Sequence, residues 1–312
     1  MSACCGPDRG SAGGPPPAEP ASGDRSGAPA SAVVAIPAGS FAMGCVDPRW
    51  VDPADGEGPV HEVAVSAFSI APVTVTNEAW ATFADATGYT TEAERYGWSF
   101  VFGGLLPDDF EETAAIAQAP WWRQVFGADW AHPEGAHSDV AGRGDHPVVH
   151  VSWNDAQAYC GWSGTRLPTE AEWERAARGG LDGAAFPWGD DLEPDGQHHM
   201  NVFQGRFPGE NTLADGYAGT APVEAYTANG FGLFNATGNV WEWCADWYDA
   251  TWYQRSPVTD PTGPTRGDRR VMRGGSYLCH ESYCRRYRVS ARSSSTPDSS
   301  AGNIGFRVAA AG

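Results

Sequence analysis

Glycine and proline interrupt this chain so often that long helices and long strands have little room. The sequence contains 39 glycines and 24 prolines among 312 residues, together with 14 tryptophans. Glycine and proline favour turns, and tryptophan buries a large ring surface in a core. We therefore predict much loop, few long helices, and a core of large rings rather than long aliphatic runs.

The charge of the chain limits its partners and its chemistry. The formal net charge is −19 at pH 7, which argues against nucleic acid or an anionic membrane as the main partner. All 20 basic residues are arginine, and the sequence contains no lysine. A Schiff-base lysine for pyridoxal phosphate and the lysine of a Walker phosphate loop are therefore both excluded.

The first 31 residues differ in composition from the rest. They are rich in proline, glycine, alanine and serine and contain no apolar run, so residues 1–31 are expected to form a disordered tail and not a signal peptide. Cys4 and Cys5 in this tail lack the surroundings of a metal site. No stretch has the length and hydrophobicity of a transmembrane helix. Seven irregularly spaced cysteines favour a reduced, cytoplasmic setting, and nothing demands more than a monomer.

From residue 32 onward the pattern becomes globular, and we predict a single α+β domain spanning residues 32–312. Three helices have clear starts and stops: one from Thr76 or Asn77 to Gly88, one from Ser152 to Gly164, and one from the capping box Thr169/Glu172 to Gly179. Short strands are expected at 33–36, 62–68, 148–151, 232–234, 271–273 and 306–308.

Two cysteines five positions apart, Cys279 and Cys284, mark the most reactive segment of the sequence. They lie in residues 266–292, which hold eight of the 20 arginines but only two acids, Asp268 and Glu281. A positive neighbourhood favours the thiolate, which is the reactive form of cysteine. These arginines are therefore expected to keep both thiols ionised near neutral pH.

The spacing of the two cysteines excludes several kinds of thiol site. Four intervening residues do not fit the two-residue spacing of a thioredoxin motif, and no second cysteine pair completes a zinc site. A disulfide is within reach but is disfavoured in the cytoplasm. Two thiolates converging on one soft ion suit Cu(I). The residues alone are compatible with this functional pair and also with two buried, inert cysteines.

Oxygen-bearing side chains in glycine-containing loops indicate a second kind of metal site. Carboxylates and amides are ligands that Ca²⁺ prefers, although asparagine and aspartate in loops also form turns. Residues 191–196 resemble the start of an EF-hand loop, but its twelfth position is Val202 and not a glutamate. The candidate calcium ligands are Asn201, Asp215, Asn235 and Glu242.

His146 and His150 have a spacing that resembles a two-histidine iron site. If this segment is a strand, the two side chains share a face, but the position of the third, carboxylate ligand is Ser152. We therefore favour hydrogen-bonded histidines near a helix start. The tryptophans at 241, 243 and 247 are expected to form core and loop scaffold, with an aromatic wall beside a substrate cleft as the alternative.

Six segments of the globular part resemble the formylglycine-generating enzymes, also called sulfatase-modifying factors. Most of these segments are shared by a wider superfamily, and the Cys279/Cys284 pair is the specific part. The resemblance covers nearly all of the globular part and implies an α+β fold related to the C-type lectin fold, with little regular structure. The segments are IPAGSFAMG (36–44), HVSWNDA (150–156), RLPTEAEWE (166–174), GNVWEW (238–243), RGGS (273–276) with the cysteines, and NIGFR (303–307).

The resemblance implies an oxidase that uses O₂ and copper. Its substrate would be an unfolded or nascent sulfatase polypeptide, in which the cysteine of a Cys-X-Pro-X-Arg segment becomes Cα-formylglycine. Cys279 and Cys284 would bind Cu(I) as thiolates, and the substrate cysteine would add a third. By the same resemblance Ser276, Trp241 and Tyr283 line the oxygen and substrate pocket, and His280 and Asn303 contact the substrate peptide.

The resemblance also implies two structural calcium sites. One would use Asn201, Asp215 and the carbonyl oxygens of Val202 and Tyr217. The other would use Asn235, Glu242 and the carbonyl oxygens of Gly238 and Val240.

Secreted family members carry two structural disulfides that this sequence lacks. One half-cystine position is Cys160, but its partner position is Val308, and the second pair falls at Ala177 and Val289. This difference supports a cytoplasmic bacterial member of the family.

Two functions from other classes compete with this one. A lectin-like binding module would share the fold without the chemistry, and retention of both thiols argues against it. A non-haem iron sulfoxide synthase would add an N-terminal helical domain with a His-x₃-His-x-Glu motif, and the tail and Ser152 argue against that. Elemental analysis for copper, iron or neither metal separates the three.

Overall fold

A computed structural model of the chain describes residues 6–9 and 32–310. This part contains four α-helices, none longer than 11 residues, and many short strands. The prediction of an α+β fold with little regular structure is confirmed. The helices α1 to α4 are Asn77–Thr87, Glu92–Tyr96, Trp153–Ser163 and Glu170–Arg178.

Fifteen strands occur in the described residues, and the longest has eight residues. In chain order β1 to β8 are Val34–Ile36, Gly39–Met43, His61–Val65, Phe68–Ile70, Trp98–Phe102, Ala115–Ile116, Ala119–Phe126 and Thr165–Arg166. The strands β9 to β15 are Gly205–Arg206, Glu210–Asn211, Trp241–Trp247, Arg270–Arg273, Arg292–Ser295, Ile304–Gly305 and Ala309–Ala310.

The sheet that supports the candidate site has the order β13-β12-β11-β14. Strand β11 pairs antiparallel with β12, with Trp243 opposite Met272, and parallel with β14, with Trp241 opposite Ile304. A second four-stranded sheet has the order β1-β4-β15-β8. Smaller sheets pair β5, β7 and β6, β2 with β3, and β9 with β10.

The three helices expected from the sequence form because their ends are capped. Thr76 accepts a hydrogen bond from the amide of Ala79, and Ser152 and Thr169 each close a capping box with the residue three positions later. Each helix ends at a glycine in the left-handed conformation, where a side chain would be strained. The predicted ends of these helices are confirmed.

Three strand predictions are wrong, because the apolar residues in them are buried by loop packing. Residues 148–151, 232–234 and 306–308 lie outside the strands. His150 has a φ of 59°, which takes the chain out of an extended path. Its amide donates to Ala301 O at 3.0 Å, so a loop partner replaces a strand partner.

Large rings fill the interior, as predicted. The fully buried side chains include six tryptophans, and many of the rings meet edge to face or stacked. Such rings bury much apolar surface per residue, which suits a chain with short elements. The six are Trp80, Trp122, Trp162, Trp173, Trp241 and Trp243.

Residues 6–9 pack against the domain, so the predicted disordered tail does not include them. The backbone amide of Arg9 donates to Ser299 Oγ at 3.0 Å, and the Arg9 side chain is 8% exposed. The rest of the predicted tail, including Cys4 and Cys5, lies outside the described residues. Among the helices that are described, none is long and apolar enough to cross a bilayer.

Candidate active site

The two cysteines singled out in the sequence form one site. Cys279 Sγ and Cys284 Sγ are 3.4 Å apart, and each residue is 1% exposed. A turn brings them together, because the amides of Tyr283 and Cys284 both donate to the carbonyl of His280, at 3.1 and 2.8 Å. The loop geometry therefore converts a spacing of five residues into a close pair of sulfurs.

The residues before Cys279 fix the position of its sulfur. The backbone amide of Ser276 donates to Cys279 Sγ at 3.4 Å. Gly275 has a φ of 76°, and a β-carbon there would lie 2.7 Å from Arg286 O. A side chain at this position would separate the two arms of the loop, so the Gly-Ser step allows the thiols to approach each other.

Three further candidate residues lie next to this loop. Asn303 Nδ2 donates to Ser276 Oγ at 3.0 Å, and the amide of Trp241 donates to Asn303 O at 2.8 Å. The indole Nε1 of Trp241 is buried and has no hydrogen-bond partner among the described residues. A buried donor of this kind can be satisfied by a water or a ligand. The structure thus brings Ser276, Asn303 and Trp241 to the thiol pair.

Tyr283 belongs to an aromatic cluster that the sequence did not reveal. Its hydroxyl donates to Leu278 O at 2.7 Å, and its ring stacks on Phe207 with centroids 4.0 Å apart. Trp121 packs edge-on against both rings. The aromatic wall beside the thiol loop therefore comes from Trp121 and Phe207, which are remote in sequence and carry no spacing signal.

Pockets lie on both sides of the thiol loop. One of about 230 Å³ is lined by Trp50, Tyr283 and Arg286, among others. The other, of about 450 Å³, has Phe203 and His280 in its wall. His280 is half-buried, with Nδ1 2.8 Å from Ser282 Oγ. Residues of the thiol loop therefore line two surface pockets.

The arginines around the thiols are paired with acids, and the expectation that they keep both thiols ionised stays a prediction. Arg286 pairs with Asp55, Arg288 with Glu57, and further arginines pair with acids on α4. Folding brings these acids from distant segments, which a local count of charges does not show. One guanidinium still reaches a thiol, since Arg286 Nη1 is 3.8 Å from Cys284 Sγ.

Burial raises the pKa values of one carboxyl group and one phenol beside the loop. Burial raises the pKa of the Asp55 carboxyl even though the Arg286 guanidinium opposes the shift. Burial also raises the pKa of the Tyr287 phenol, and the neighbouring Cys279 sulfur adds to the effect. The Tyr287 phenol therefore stays protonated beside the thiol pair, while the Asp55 carboxylate keeps its ion pair with Arg286.

Two other cysteines show what an inert thiol looks like in this fold. Burial raises the pKa of Cys160 to about 12 and raises that of Cys244 well above its usual value. Cys160 packs in the ring-rich core and Cys244 in the strand β11. Neither lies in a loop with a second thiol, so neither matches the chemistry of the pair.

The two candidate iron-binding histidines do not share a face. Both ring nitrogens of His150 are used, with Nδ1 2.8 Å from Ser99 Oγ and Nε2 2.8 Å from Pro133 O. Burial lowers the pKa of His150 to about 4, so the ring is neutral. His146 Nδ1 lies 3.0 Å from Thr220 Oγ1. The expectation that these are hydrogen-bonded histidines is confirmed, and their possible alignment on a strand is wrong.

The first candidate calcium site contains an orphaned oxygen. Asn201 is 1% exposed, and its Oδ1 has no hydrogen-bond partner among the described residues. The Asp215 carboxylate is adjacent, since it accepts from the amides of Val202 and Tyr217 at 3.1 Å each. Burial raises the pKa of Asp215. A buried amide oxygen beside a carboxylate fits a hard cation.

The second candidate calcium site contains a carboxylate that already has hydrogen-bond partners. Asn235 Oδ1 is also buried without a hydrogen-bond partner in the described part of the chain. Glu242, however, accepts from Arg307 on both oxygens, at 2.6 and 2.7 Å, and from Trp173 Nε1 at 2.7 Å. A cation here would have to share this carboxylate with a guanidinium. Gly238 and Val240 lie in the bend directly before β11.

The similarity of this chain to known proteins decides its family. A profile described as "Sulfatase-modifying factor enzyme 1-like domain" matches residues 19–311. The formylglycine-generating enzyme of Thermomonospora curvata is 58% identical over 285 residues, which cover 90% of this chain and 94% of that protein. The chain belongs to the formylglycine-generating enzyme family.

Other relatives extend this result. The solved structure of PvdO from Pseudomonas aeruginosa is 27% identical, has a TM-score of 0.64, and covers 89% of this chain and 93% of that one. A Bos taurus protein named "Inactive C-alpha-formylglycine-generating enzyme 2" is 43% identical over 282 residues, which cover 89% of this chain and 87% of that protein. The relatives of this chain thus include at least one protein that is named as inactive.

The segments that resemble the formylglycine-generating enzyme family build the frame around the thiols. RLPTEAEWE begins α4, whose Glu170 and Glu174 bind Arg273, directly before the Gly-Gly-Ser turn. GNVWEW enters β11, and NIGFR supplies Arg307 to the carboxylate of Glu242. The family segments therefore hold the loop from several sides by buried ion pairs.

Proposed function

We propose that this protein oxidises the cysteine of a Cys-X-Pro-X-Arg segment in sulfatase polypeptides to Cα-formylglycine, using O₂ and Cu(I) bound by Cys279 and Cys284. The observation that carries the proposal is the pair of buried sulfurs 3.4 Å apart in a loop of this family. Family membership supports the substrate class. The thiol pair supports the chemistry.

The donor set of the thiol loop fits a soft, low-coordinate metal ion. Thiolate sulfur prefers Cu(I) among the common ions. In the described residues no group of three or more His, Cys, Asp and Glu side chains could hold a metal. Cys279 and Cys284 would therefore hold the ion as two donors, with a position left for the thiol of the substrate. Bound copper would supply the activation of O₂.

The protein's own residues have defined tasks in this reaction. The loop buries both sulfurs and so excludes water from them, while the amide of Ser276 holds Cys279 in place. The Trp241 Nε1–H is free to donate to a bound group. Overall, two electrons and two protons pass from the Cβ–S unit of the substrate to O₂, which becomes hydrogen peroxide and leaves a thioaldehyde. Water then replaces sulfur in the thioaldehyde and gives the aldehyde and hydrogen sulfide.

A non-catalytic binding module is the alternative from another class. It is favoured by the relative whose name includes the word inactive, since this shows that the fold alone does not guarantee activity. The alternative does not explain why two thiols are held in contact inside a loop that packs against a pocket. We further propose that the protein works in the cytoplasm as a monomer, in line with Cys45, Cys160 and Cys244, which form no disulfide among the described residues.

The proposed activity is tested by mass spectrometry. The protein, reconstituted with Cu(I), is incubated in air with a synthetic peptide that contains Cys-Ala-Pro-Ala-Arg. We expect a mass change that matches conversion of the thiol to an aldehyde, and capture of the product by an aminooxy probe. A peptide with serine in place of cysteine is the control. Peptide that stays unmodified with copper bound and O₂ present would contradict the proposal.

We also propose that Ca²⁺ stabilises the domain at two sites. The first comprises Asn201, Asp215 and the carbonyls of Val202 and Tyr217, and its support is the orphaned Asn201 Oδ1 beside a buried carboxylate. The second comprises Asn235, Glu242 and the carbonyls of Gly238 and Val240, and its support is the orphaned Asn235 Oδ1.

Removing calcium is expected to lower the melting temperature by about 5–10 °C for each site that holds the ion. A ligand at 100 times its Kd stabilises the folded state by about 2.7 kcal/mol, and a domain of this size shifts by about 2–4 °C per kcal/mol. Differential scanning calorimetry with EGTA, followed by excess Ca²⁺ or Mg²⁺, measures the effect. Asn201→Ala should show a smaller response to EGTA than the natural protein. A melting temperature that does not change when EGTA is added would contradict both sites.

A further inference from the structure

Residues 5–9 of this chain are Cys5-Gly6-Pro7-Asp8-Arg9, which has the form Cys-X-Pro-X-Arg. This is the motif that the proposed activity recognises in its substrate. The structure describes Gly6 to Arg9 and places them against the domain, while Cys5 lies outside the described residues. The chain therefore carries its own copy of the substrate motif and binds at least the last four residues of it.

Arg9, the arginine of this motif, occupies a defined site. Its guanidinium carbon lies 4.3 Å from the ring centroid of Tyr96 and 4.2 Å from that of Trp98. Its Nη2 donates to Trp98 O and to Ser300 Oγ, both at 2.8 Å. Two aromatic faces and two neutral oxygens are a recognition site for a planar cation.

The site binds Arg9 but does not satisfy all of its hydrogen-bond donors. Its Nε and Nη1 groups are buried and meet no acceptor among the described residues. Burial lowers the pKa of Arg9 to about 10, so the side chain stays charged at neutral pH. Buried donors without acceptors weaken binding. The contact is therefore suited to a ligand that can be displaced.

The remaining residues of the segment are also bound. The Asp8 carboxylate accepts from Ser295 Oγ at 2.7 Å and from the amide of Thr296 at 3.3 Å, and it pairs with Arg269. Gly6 and Pro7 are buried. A β-carbon on Gly6 would lie 3.1 Å from Ile304 Cδ1. The segment thus packs against residues 295–304.

This surface is continuous with the candidate active site. Ile304, beside Gly6, is preceded by Asn303, which donates to Ser276, and the amide of Ser276 donates to Cys279 Sγ. From Ser300, beside Arg9, to Asn303 is three residues, or at most ~11 Å of extended chain. Both ends of the described segment therefore lie on residues that are close in the chain to Asn303, which is hydrogen-bonded to the thiol loop.

We propose that the motif at residues 5–9 acts as a tethered copy of the substrate motif, whose described residues Gly6 to Arg9 occupy the surface that recognises the Pro-X-Arg part of a sulfatase segment and compete with it. This inference rests on the proposed function. A tethered ligand has an effective concentration in the millimolar range, so even a weakly held segment restricts access. The recognition surface consists of Tyr96, Trp98, Arg269, Ser295, Thr296, Ser299 and Ser300.

Peptide binding tests the competition without requiring catalysis. A dye-labelled peptide containing Ser-Ala-Pro-Ala-Arg is titrated into the full-length protein, and fluorescence anisotropy gives its Kd. We expect Arg9→Ala to lower this Kd about tenfold, because the competing arginine is removed. Trp98→Ala should raise the Kd, because it removes the site for either arginine. Arg206→Ala, at an arginine that is 84% exposed, is the control and should change nothing.

Arg9→Ala and Trp98→Ala are expected to change the Kd in opposite directions. This difference separates competition from a merely structural role of the segment. If Arg9 only fastens the chain terminus to the domain, Arg9→Ala leaves the Kd unchanged or raises it, and either result overturns the inference. If the natural protein oxidises the cysteine peptide but Arg9→Ala does not bind the serine peptide more tightly, the proposed function is retained and the tethered motif is rejected. Tighter binding by Arg9→Ala without any oxidation supports the tethered motif and rejects the proposed chemistry.

Discussion

Replacing either Cys279 or Cys284 by serine is expected to reduce aldehyde formation on a Cys-X-Pro-X-Arg peptide by about 1000-fold or more. A neutral hydroxyl is a poor ligand for Cu(I), and one remaining thiolate does not complete the two-sulfur site. Residues that act as a unit lose nearly all activity when one is removed. The two single variants should therefore be as inactive as the double variant.

Copper content provides a second measurement that does not depend on turnover. We expect one copper per natural protein by elemental analysis and almost none in Cys279→Ser or Cys284→Ser. Cys45→Ser is the matched control, because Cys45 is a free cysteine in the described part that lies outside the thiol loop. Aldehyde formed at the normal rate by either loop variant would exclude the scheme. Loss of copper and activity in Cys45→Ser would show that the effect is not specific to the loop.

Replacing Arg273 by methionine is expected to destabilise the domain by about 3–5 kcal/mol. Arg273 is fully buried and binds Glu170 at 2.7 Å as well as Glu174. Its removal leaves carboxylates in the interior without one of their partners, which is costly because a buried charge is poorly solvated. At about 2–4 °C per kcal/mol the melting temperature should fall by about 10 °C.

Arg206→Met is the control for this prediction. Arg206 is paired with Glu210 at 3.7 Å on the surface, where such pairs contribute about 0–1 kcal/mol. Denaturant unfolding of both variants gives the comparison. Equal stabilities would show that the buried ion pairs around α4 do not hold the thiol loop in place. The double variant Arg273→Met with Glu174→Gln should recover part of the loss, since it removes one of the two buried carboxylates that lost Arg273 as a partner.

Local signals in the sequence were sufficient for the helices. Thr76, Ser152 and Thr169 cap helices whose ends agree with the structure, because a cap and a terminal glycine act within a few residues. The strand predictions were less successful. Residues 148–151 are apolar and buried but bent at His150, and only the surrounding loops decide that path.

The thiol pair could be found from the sequence, but the charged and aromatic groups around it could not. Cys279 and Cys284 stood out by spacing and by nearby arginines. The acids that neutralise those arginines, such as Asp55 and Glu57, lie more than 200 positions away in sequence. The aromatic partners of Tyr283, Trp121 and Phe207, are also distant in sequence. Partners that are distant in sequence leave no local pattern from which they can be predicted.

The buried ion pairs have a consequence for how the chain assembles during synthesis. Glu57 and Glu170 leave the ribosome long before their partners Arg288 and Arg292, and Glu242 emerges before Arg307. Until those arginines arrive, each carboxylate must stay hydrated, and the segments that carry it cannot close into a dry interior. Because the thiol loop lies among the late arginines, it forms only when nearly the whole chain has been translated. Its two sulfurs are therefore buried in one of the final steps of folding.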